Sequence, residues 1–177
     1  MAEAAAKDAL ALIAADHRSV EKMFEKFDAL EDIEEKERLV ARICEELIIH
    51  TMIEEELFYP ALRGEVEEED LDEAYVEHDG AKVLIAELMN SSAKHDFYDA
   101  KVRVLAEEIR HHVQEEEKAQ ESLFKQAREA GVDLKELGRA LAARKQELKE
   151  QFEAEGPPMP VTRTFVGAEL ELGAPRG

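Results

Sequence analysis

The chain of 177 residues is long enough to bury a hydrophobic core without disulfides, and its single cysteine, Cys44, has no partner for an internal one. Its formal net charge of −20 argues against nucleic-acid binding, because a phosphate backbone repels an acidic surface. The sequence contains no apolar stretch long enough to span a membrane and no signal-peptide pattern at its N-terminus. We therefore expect a cytoplasmic protein that binds neither nucleic acid nor membrane, with Cys44 in the core.

Apolar residues recur at alternating spacings of three and four along most of the chain, which predicts amphipathic helices and an all-α fold. Four helices are expected: residues 6–30, Asp32 to Gly64, Leu71 to the polar stretch "NSSAKHD", and Asp96 to Gly131. The connections between them are short. This pattern favours an up-down-up-down antiparallel four-helix bundle.

The sequence suggests three consecutive parts. Residues 1–131 form the predicted bundle, and residues 132–155 form an appended fifth helix that either packs outside the bundle or mediates association between copies. Residues 156–177 hold four of the five prolines and are expected to form an extended or disordered tail.

Each predicted bundle helix carries one histidine in its apolar stripe, which we call the seam: His17, His50, His78 and His112. In the second and fourth helices a glutamate follows four residues later. A spacing of four places both side chains on one helix face, one turn apart. We call His50 with Glu54 the first clamp and His112 with Glu116 the second clamp.

The positions of these residues indicate that they share one level of the bundle. In neighbouring antiparallel helices, residues at the same level are equally distant from the connecting turn. The midpoint in residue number between His17 and His50 falls within "EDIEE", the midpoint between the first clamp and His78 falls at or just after Gly64, and the midpoint between His78 and the second clamp falls within "KHDFY". Each midpoint lies in a predicted turn, so all six side chains should converge.

Four imidazoles and two carboxylates in one apolar layer would be costly, because each unpaired buried carboxylate costs several kcal/mol. Metal ions remove that penalty. The mixed nitrogen and oxygen donors suit iron or manganese, whereas a structural zinc site needs four ligands and no thiolate is near. We therefore predict a metal site formed by His17, His50, Glu54, His78, His112 and Glu116.

Other candidate residues lie outside this pattern. His111 lies off the seam and is expected either to contact a ligand side chain from behind or to face solvent, and His95 falls in a predicted loop and is expected at the surface. Tyr59 and Tyr75 are expected to pack or to lie at the rim of the site, with metal ligation or radical trapping as the alternative. The neighbouring acids are expected to point to solvent, although one could hydrogen-bond a ligand imidazole: Glu55, Glu56, Glu115 and Glu117.

The motifs together resemble the hemerythrin-like, HHE cation-binding family: "DH" at 16–17, "HTMIEEELFYP" at 50–60, "EHDGAKVLIAEL" at 77–88 and "HHVQEEE" at 111–117. The resemblance covers the four predicted bundle helices. It implies a non-haem di-iron centre with oxo or hydroxo and carboxylate bridges, in which the histidines are terminal ligands and Glu54 and Glu116 bridge. Manganese or zinc is an alternative occupant.

The sequence departs from the oxygen-carrying hemerythrins at two positions. Their third helix has two histidines four residues apart, whereas Lys82 follows His78 here, and their last carboxylate is an Asp five residues after the histidine, whereas Glu116 follows His112 by four. The resulting ligand set is most similar to the di-iron proteins of iron-sulfur cluster repair and nitrosative-stress defence.

The resemblance implies a protein that binds or reduces a small diatomic or peroxidic ligand, O2, NO or H2O2, in stress handling or oxygen binding. An alternative is an iron- or oxygen-dependent sensor or partner-binding module without turnover, in which the appended helix or the tail reports metal binding. Ferritin-like iron oxidation is a weaker third hypothesis. That class uses two Glu-x-x-His motifs, and the only one here, Glu108 to His111, lies off the seam.

Overall fold

The computed structural model describes residues 7–167, and every regular element in that range is helical. The α-helices are α1 Ala9–Phe27, α2 Ile33–Ile53, α3 Tyr59–Leu62, α4 Glu68–Met89, α5 Tyr98–Val113, α6 Leu123–Glu129 and α7 Leu134–Glu155. Two π-helical turns lie between them: π1 Glu54–Phe58 and π2 Gln114–Lys118. The predicted all-α fold is confirmed.

Helices α1, α2, α4 and α5 form the four-helix bundle. Helix α1 packs against α2 and α5, and α4 packs against the same two helices. The end of α1 meets the start of α5 through an ion pair between Asp28 and Arg103, and Glu37 near the start of α2 accepts hydrogen bonds from Ser92 and Ala93 after α4. These contacts are consistent with the predicted up-down-up-down order.

Helix starts follow local sequence. Asp8, Asp32 and Asp133 each accept a hydrogen bond from the backbone N–H three residues later, and so satisfy donors that the first turn of a helix leaves free. The sequence predicts this role for Asp32. The expected cap at Asp96 is wrong, because α5 begins at Tyr98 and is preceded by Phe97 in the left-handed region at φ 68°.

Two predicted helices are less regular than the sequence suggests. The helix expected from Asp32 to Gly64 contains π1, and the helix expected from Asp96 to Gly131 contains π2 and then breaks at residues 119–122 before α6. In a π-helical turn the backbone bonds run from residue i to i+5, as from the Tyr59 N–H to the Glu54 carbonyl and from the Ala119 N–H to the Gln114 carbonyl. One residue is thus inserted into each helix just where the candidate ligands lie.

Helix α7 packs along α1 and α2 and also against π1. It approaches α1 closely at Gly138, where a side chain would collide with backbone atoms of residues 7–9. The segment after α7 is non-helical up to residue 167 and returns to the bundle at Asp79. The rest of the predicted tail, residues 168–177, lies outside the described residues, as do residues 1–6.

Candidate metal centre

The four seam histidines come from the four bundle helices, and both candidate glutamates lie in the π-helical turns. All six side chains are buried, with at most 4% of any of them exposed: His17, His50, Glu54, His78, His112 and Glu116. The structure therefore brings together every residue that the sequence pattern selected. Their roles as metal ligands remain a prediction.

Ligand-type atoms of the histidines and Glu54 lie close together in this layer. The Nε2 atoms of His17 and His50 are 3.0 Å apart, and Glu54 Oε2 lies 3.1 Å from His50 Nε2 and 3.2 Å from His78 Nε2. Potential ligand atoms of His17, His50, Glu54 and His112 all lie within 4.8 Å of one another. That is the spacing of groups that could share a cation.

Glu116 lies at the other side of the same layer. Its Oε2 is 3.5 Å from His17 Nε2 and 3.8 Å from His112 Nε2, so it is close to both imidazoles. Neither Glu116 oxygen has a hydrogen-bond partner among the described residues, and the same is true of Glu54 Oε1 and His112 Nε2. Buried polar atoms are normally paired, so four unpaired ones in one layer indicate a site built for a ligand or ion.

The two carboxylates have opposite charge preferences. Burial raises the pKa of Glu54, but His50 and His78 outweigh it and hold that pKa well below its usual range. Burial and the charge of Glu54 raise the pKa of Glu116 well above its usual range. Burial also lowers the pKa of His17 to about 4, which leaves a neutral imidazole of the kind that binds metal.

A second layer of carboxylates orients three of the histidines. Glu117 contacts Nδ1 of His17 at 2.5 Å, and Glu55 contacts Nδ1 of His78 at 3.0 Å. Glu77 contacts Nδ1 of His112 at 2.9 Å. Such contacts direct Nε2 of each ring towards the centre and are usual behind metal-bound histidines.

The prediction for the acids beside the clamps allowed one of them to hydrogen-bond a ligand imidazole, and two do so, Glu55 and Glu117. Glu55 is 5% exposed and pairs with Lys82 at 2.6 Å, and Glu117 pairs with Arg18 at 2.8 Å. Glu115 is exposed as expected, and Glu56 pairs with Arg144 of α7. Positive charges thus stabilise two of the three carboxylates in the second layer.

Tyr59 reaches the centre, contrary to the prediction that it packs or lies at the rim. Its hydroxyl is 3.3 Å from Glu54 Oε2 and 3.1 Å from His78 Nε2. A regular α-helix would turn a residue five positions after Glu54 away from it, whereas π1 brings the two together. Sequence reasoning at a period of 3.6 could not detect this neighbour.

The remaining candidates lie outside the centre. The Tyr75 ring is 5.2 Å from the Tyr59 ring and is half-buried. His111 is 62% exposed and lies 3.3 Å from Glu77, and His95 is exposed in the α4–α5 connection. Both histidines thus lie where the sequence placed them.

Comparisons with known proteins identify the family and the fold. The family model described as "Hemerythrin HHE cation binding domain" matches residues 8–122. The fold is similar to the crystal structure of a hemerythrin HHE cation binding domain-containing protein from Mycobacterium kansasii, with a TM-score of 0.71, 22% identity, and coverage of 85% of this chain and 95% of that one. At that identity, the likeness concerns the fold alone.

A curated relative matches part of the chain. It is named DNA nickase, from Nostoc sp. (strain PCC 7120), and is 29% identical over 106 residues. The match covers 60% of this chain but only 30% of that protein.

None of the helices within residues 7–167 combines the length and the apolar character that a membrane span requires.

Proposed function

Because the chain belongs to the hemerythrin HHE cation-binding domain family, and so carries a metal-binding domain, we propose that it is a non-haem di-iron protein that binds or reduces O2, NO or H2O2. The proposed ligands are His17, His50, Glu54, His78, His112 and Glu116. The residues fit the group, because their donor atoms are the nitrogen and oxygen types that suit iron, and Cys44 is buried with no place in the cluster.

One observation carries the proposal: buried polar atoms of Glu54, Glu116 and His112 face one layer without partners among the described residues. Leaving a carboxylate unpaired in the interior costs several kcal/mol, against a total stability of about 5–15 kcal/mol for a typical domain. Bound cations would compensate this cost, so the layer is better explained as a metal site than as a packing arrangement.

The histidines support two ions rather than one. The rings of His17 and His50 have centroids 4.7 Å apart, and the rings of His78 and His112 are 4.8 Å apart. Distances between rings of different pairs are longer, from 5.9 to 6.4 Å. On this basis His17 with His50 would hold one ion and His78 with His112 the other, and Glu54 and Glu116 would supply carboxylate oxygens to the centre.

Bound iron would supply the electrons, or accept them, in a reaction with a small ligand. Tyr59 is a neutral proton donor that contacts the proposed ligand Glu54 at 3.3 Å. Burial and the nearby carboxylates raise the pKa of Tyr59 well above its usual range, so its hydroxyl keeps its proton and donates to Glu54. The Tyr59 hydroxyl would therefore keep a proton next to the proposed metal ligands.

We propose a cytoplasmic location and a role in oxidative or nitrosative stress or in oxygen binding. The name of the Nostoc relative does not extend to this chain. Its match covers 30% of that protein, and a net charge of −20 opposes association with a phosphate backbone.

Metal analysis tests the site. The wild-type protein should hold two irons per chain after anaerobic loading, and His50→Ala and Glu54→Ala should each lose most of that iron. His95→Ala is a matched control, because His95 is exposed and distant in the fold, and its iron content should equal that of the wild type. Unchanged iron in both site variants would refute the assignment. Mixing reduced protein with O2, NO or H2O2 would then identify the ligand.

A second candidate function is an iron- or oxygen-dependent sensor or partner-binding module. The observation in its favour is a chain of contacts from the centre to the C-terminal segment: Glu55 contacts His78 at 3.0 Å through one oxygen and Arg163 at 2.9 Å through the other. Protease sensitivity at residues 157–167 should fall when iron binds if this path reports metal occupancy. Equal sensitivity with and without iron would remove the support for a sensor.

A further inference from the structure

A small cleft connects the outside of the bundle to the second clamp. It lies between α4 on one side and π2 and the start of α6 on the other. Its volume is about 40 Å³, room for roughly two or three water-sized species. Its polar lining includes six acids: Asp70, Glu73, Glu77, Glu115, Glu116 and Glu121.

The floor of this cleft consists of proposed ligand atoms. His112 and Glu116 line it, and both are buried to at least 97%. His112 Nε2 and both Glu116 oxygens have no hydrogen-bond partner in the described part of the chain. The cleft therefore ends on unpartnered donor atoms that can take a cation, and this distinguishes it from a surface patch of acids.

The charge around the cleft is poorly compensated, in contrast to the other sides of the centre. Glu117 pairs with Arg18, and Glu55 pairs with Lys82 and Arg163. At the cleft, Glu77 contacts only the imidazoles of His112 and His111 among basic side chains of residues 7–167.

Few other basic groups face the cleft. Lys125 pairs with Glu121 at its rim, and Asp70 accepts a hydrogen bond from the neutral Gln126. Neither Glu73 nor Glu115 forms an ion pair within the described residues. The cleft thus carries an excess of negative charge in a narrow space, which concentrates cations and raises their association rates.

We propose that this acidic cleft is the route by which a divalent cation, Fe²⁺, passes from solvent to the centre. The proposal rests on the metal site proposed above. Carboxylates are the oxygen donors that exchange with the water shell of a hard cation, so the lining can replace bound water stepwise before Glu116 and His112 bind the ion. A neutral ligand gains nothing from this charge, and an anion is repelled.

The test measures the rate of Fe²⁺ uptake by the metal-free full-length protein under anaerobic conditions at low ionic strength. The cleft variant is Glu73→Gln/Glu115→Gln, which removes two exposed charges and no proposed ligand. The matched control is Glu25→Gln/Glu153→Gln, two exposed acids outside the cleft that change the net charge equally. Folding and final iron content are measured for all three proteins.

The cleft variant should take up Fe²⁺ about tenfold more slowly than the wild type, and the control should match the wild type. Added salt should reduce the difference, because exposed charges are screened over about 10 Å at 0.1 M. The final iron content should be unchanged in both variants. Equal uptake rates for the cleft variant and the control, with full final content, would overturn the route and leave the metal site intact. A wild type that binds no iron would overturn both.

Discussion

The two clamps have the same spacing in the sequence and opposite surroundings in the fold. Glu54 of the first clamp lies within 3.3 Å of His50, His78 and Tyr59. Glu116 of the second clamp has no hydrogen-bond partner among the described residues. The pKa of Glu54 is accordingly held low, and that of Glu116 is raised.

The difference arises from the segment that comes after each clamp. After the first clamp, π1 continues directly into α3, and α7 covers the turn through an ion pair between Arg144 and Glu56 at 2.7 Å. After the second clamp, π2 ends at a break at residues 119–122, and the acidic cleft opens there. The same His-to-Glu motif therefore lies in a closed, charged environment at the first clamp and in an open one at the second. The segment that follows each motif makes the difference.

Metal removal should show the largest difference between the clamps. Chelation of iron should lower the melting temperature by about 10 °C, because a ligand at about a thousand times its Kd contributes about 4 kcal/mol. Hydrogen exchange should then rise more at residues 114–122 than at residues 54–62, since Glu116 has no partner without metal and Glu54 has three. An equal increase in hydrogen exchange in both segments would contradict the proposed difference between the two clamps.

Displacing α7, the helix that covers the first clamp, should have the next largest effect. Gly138→Ala places a Cβ 2.5 Å from the Lys7 carbonyl and 2.7 Å from the Ala9 nitrogen, so α7 must move away from α1. We expect a loss of about 1–3 kcal/mol in the free energy of unfolding, measured with urea. Gly80→Ala is the control, because its Cβ would meet only Glu108 at 3.9 Å and should not destabilise α4. A Gly138→Ala variant as stable as the control would contradict the close packing.

Removing the Tyr59 hydroxyl should destabilise the protein around the first clamp by a smaller amount. Tyr59→Phe should lower the stability of the metal-free protein by about 1 kcal/mol, because Glu54 and His78 each lose a buried partner. Tyr98→Phe tests a buried tyrosine away from the centre and should change stability less. Similar losses in the two variants would mean that the hydroxyl does not support the clamp.

Releasing the C-terminal segment should give the smallest effect. Arg163→Gln leaves Glu55 free to shift behind His78, so iron affinity should fall by about threefold, less than the 10–100-fold typical of removing such a carboxylate outright. Arg110→Gln is the control, because within residues 7–167 Arg110 pairs only with the exposed Glu107. Competition with a coloured chelator measures both affinities, and identical values would show that the segment does not act on His78.

The sequence predicted the helical fold, and its spacing selected six side chains that the structure brings together in one buried layer. Periodic spacing put His50 and Glu54, and likewise His112 and Glu116, on single faces, and equal distances from the turns placed the four helices in register. Asp32 as a helix cap and the surface positions of His111 and His95 also follow from local sequence. These features depend on helix geometry, which a short stretch of chain determines by itself.

Only the tertiary structure decided the asymmetry of the site. A π-helical turn breaks the regular hydrogen-bond pattern of the helix, and here it brings Tyr59 to Glu54. The periodic spacing of apolar residues in the sequence does not predict such a turn. The positions of Glu55 and Glu117 depend on ion pairs with Lys82, Arg163 and Arg18, which lie from 27 to 108 residues away along the chain. The sequence determined which side chains meet, whereas packing between distant segments decided which carboxylates are paired, charged or open to solvent.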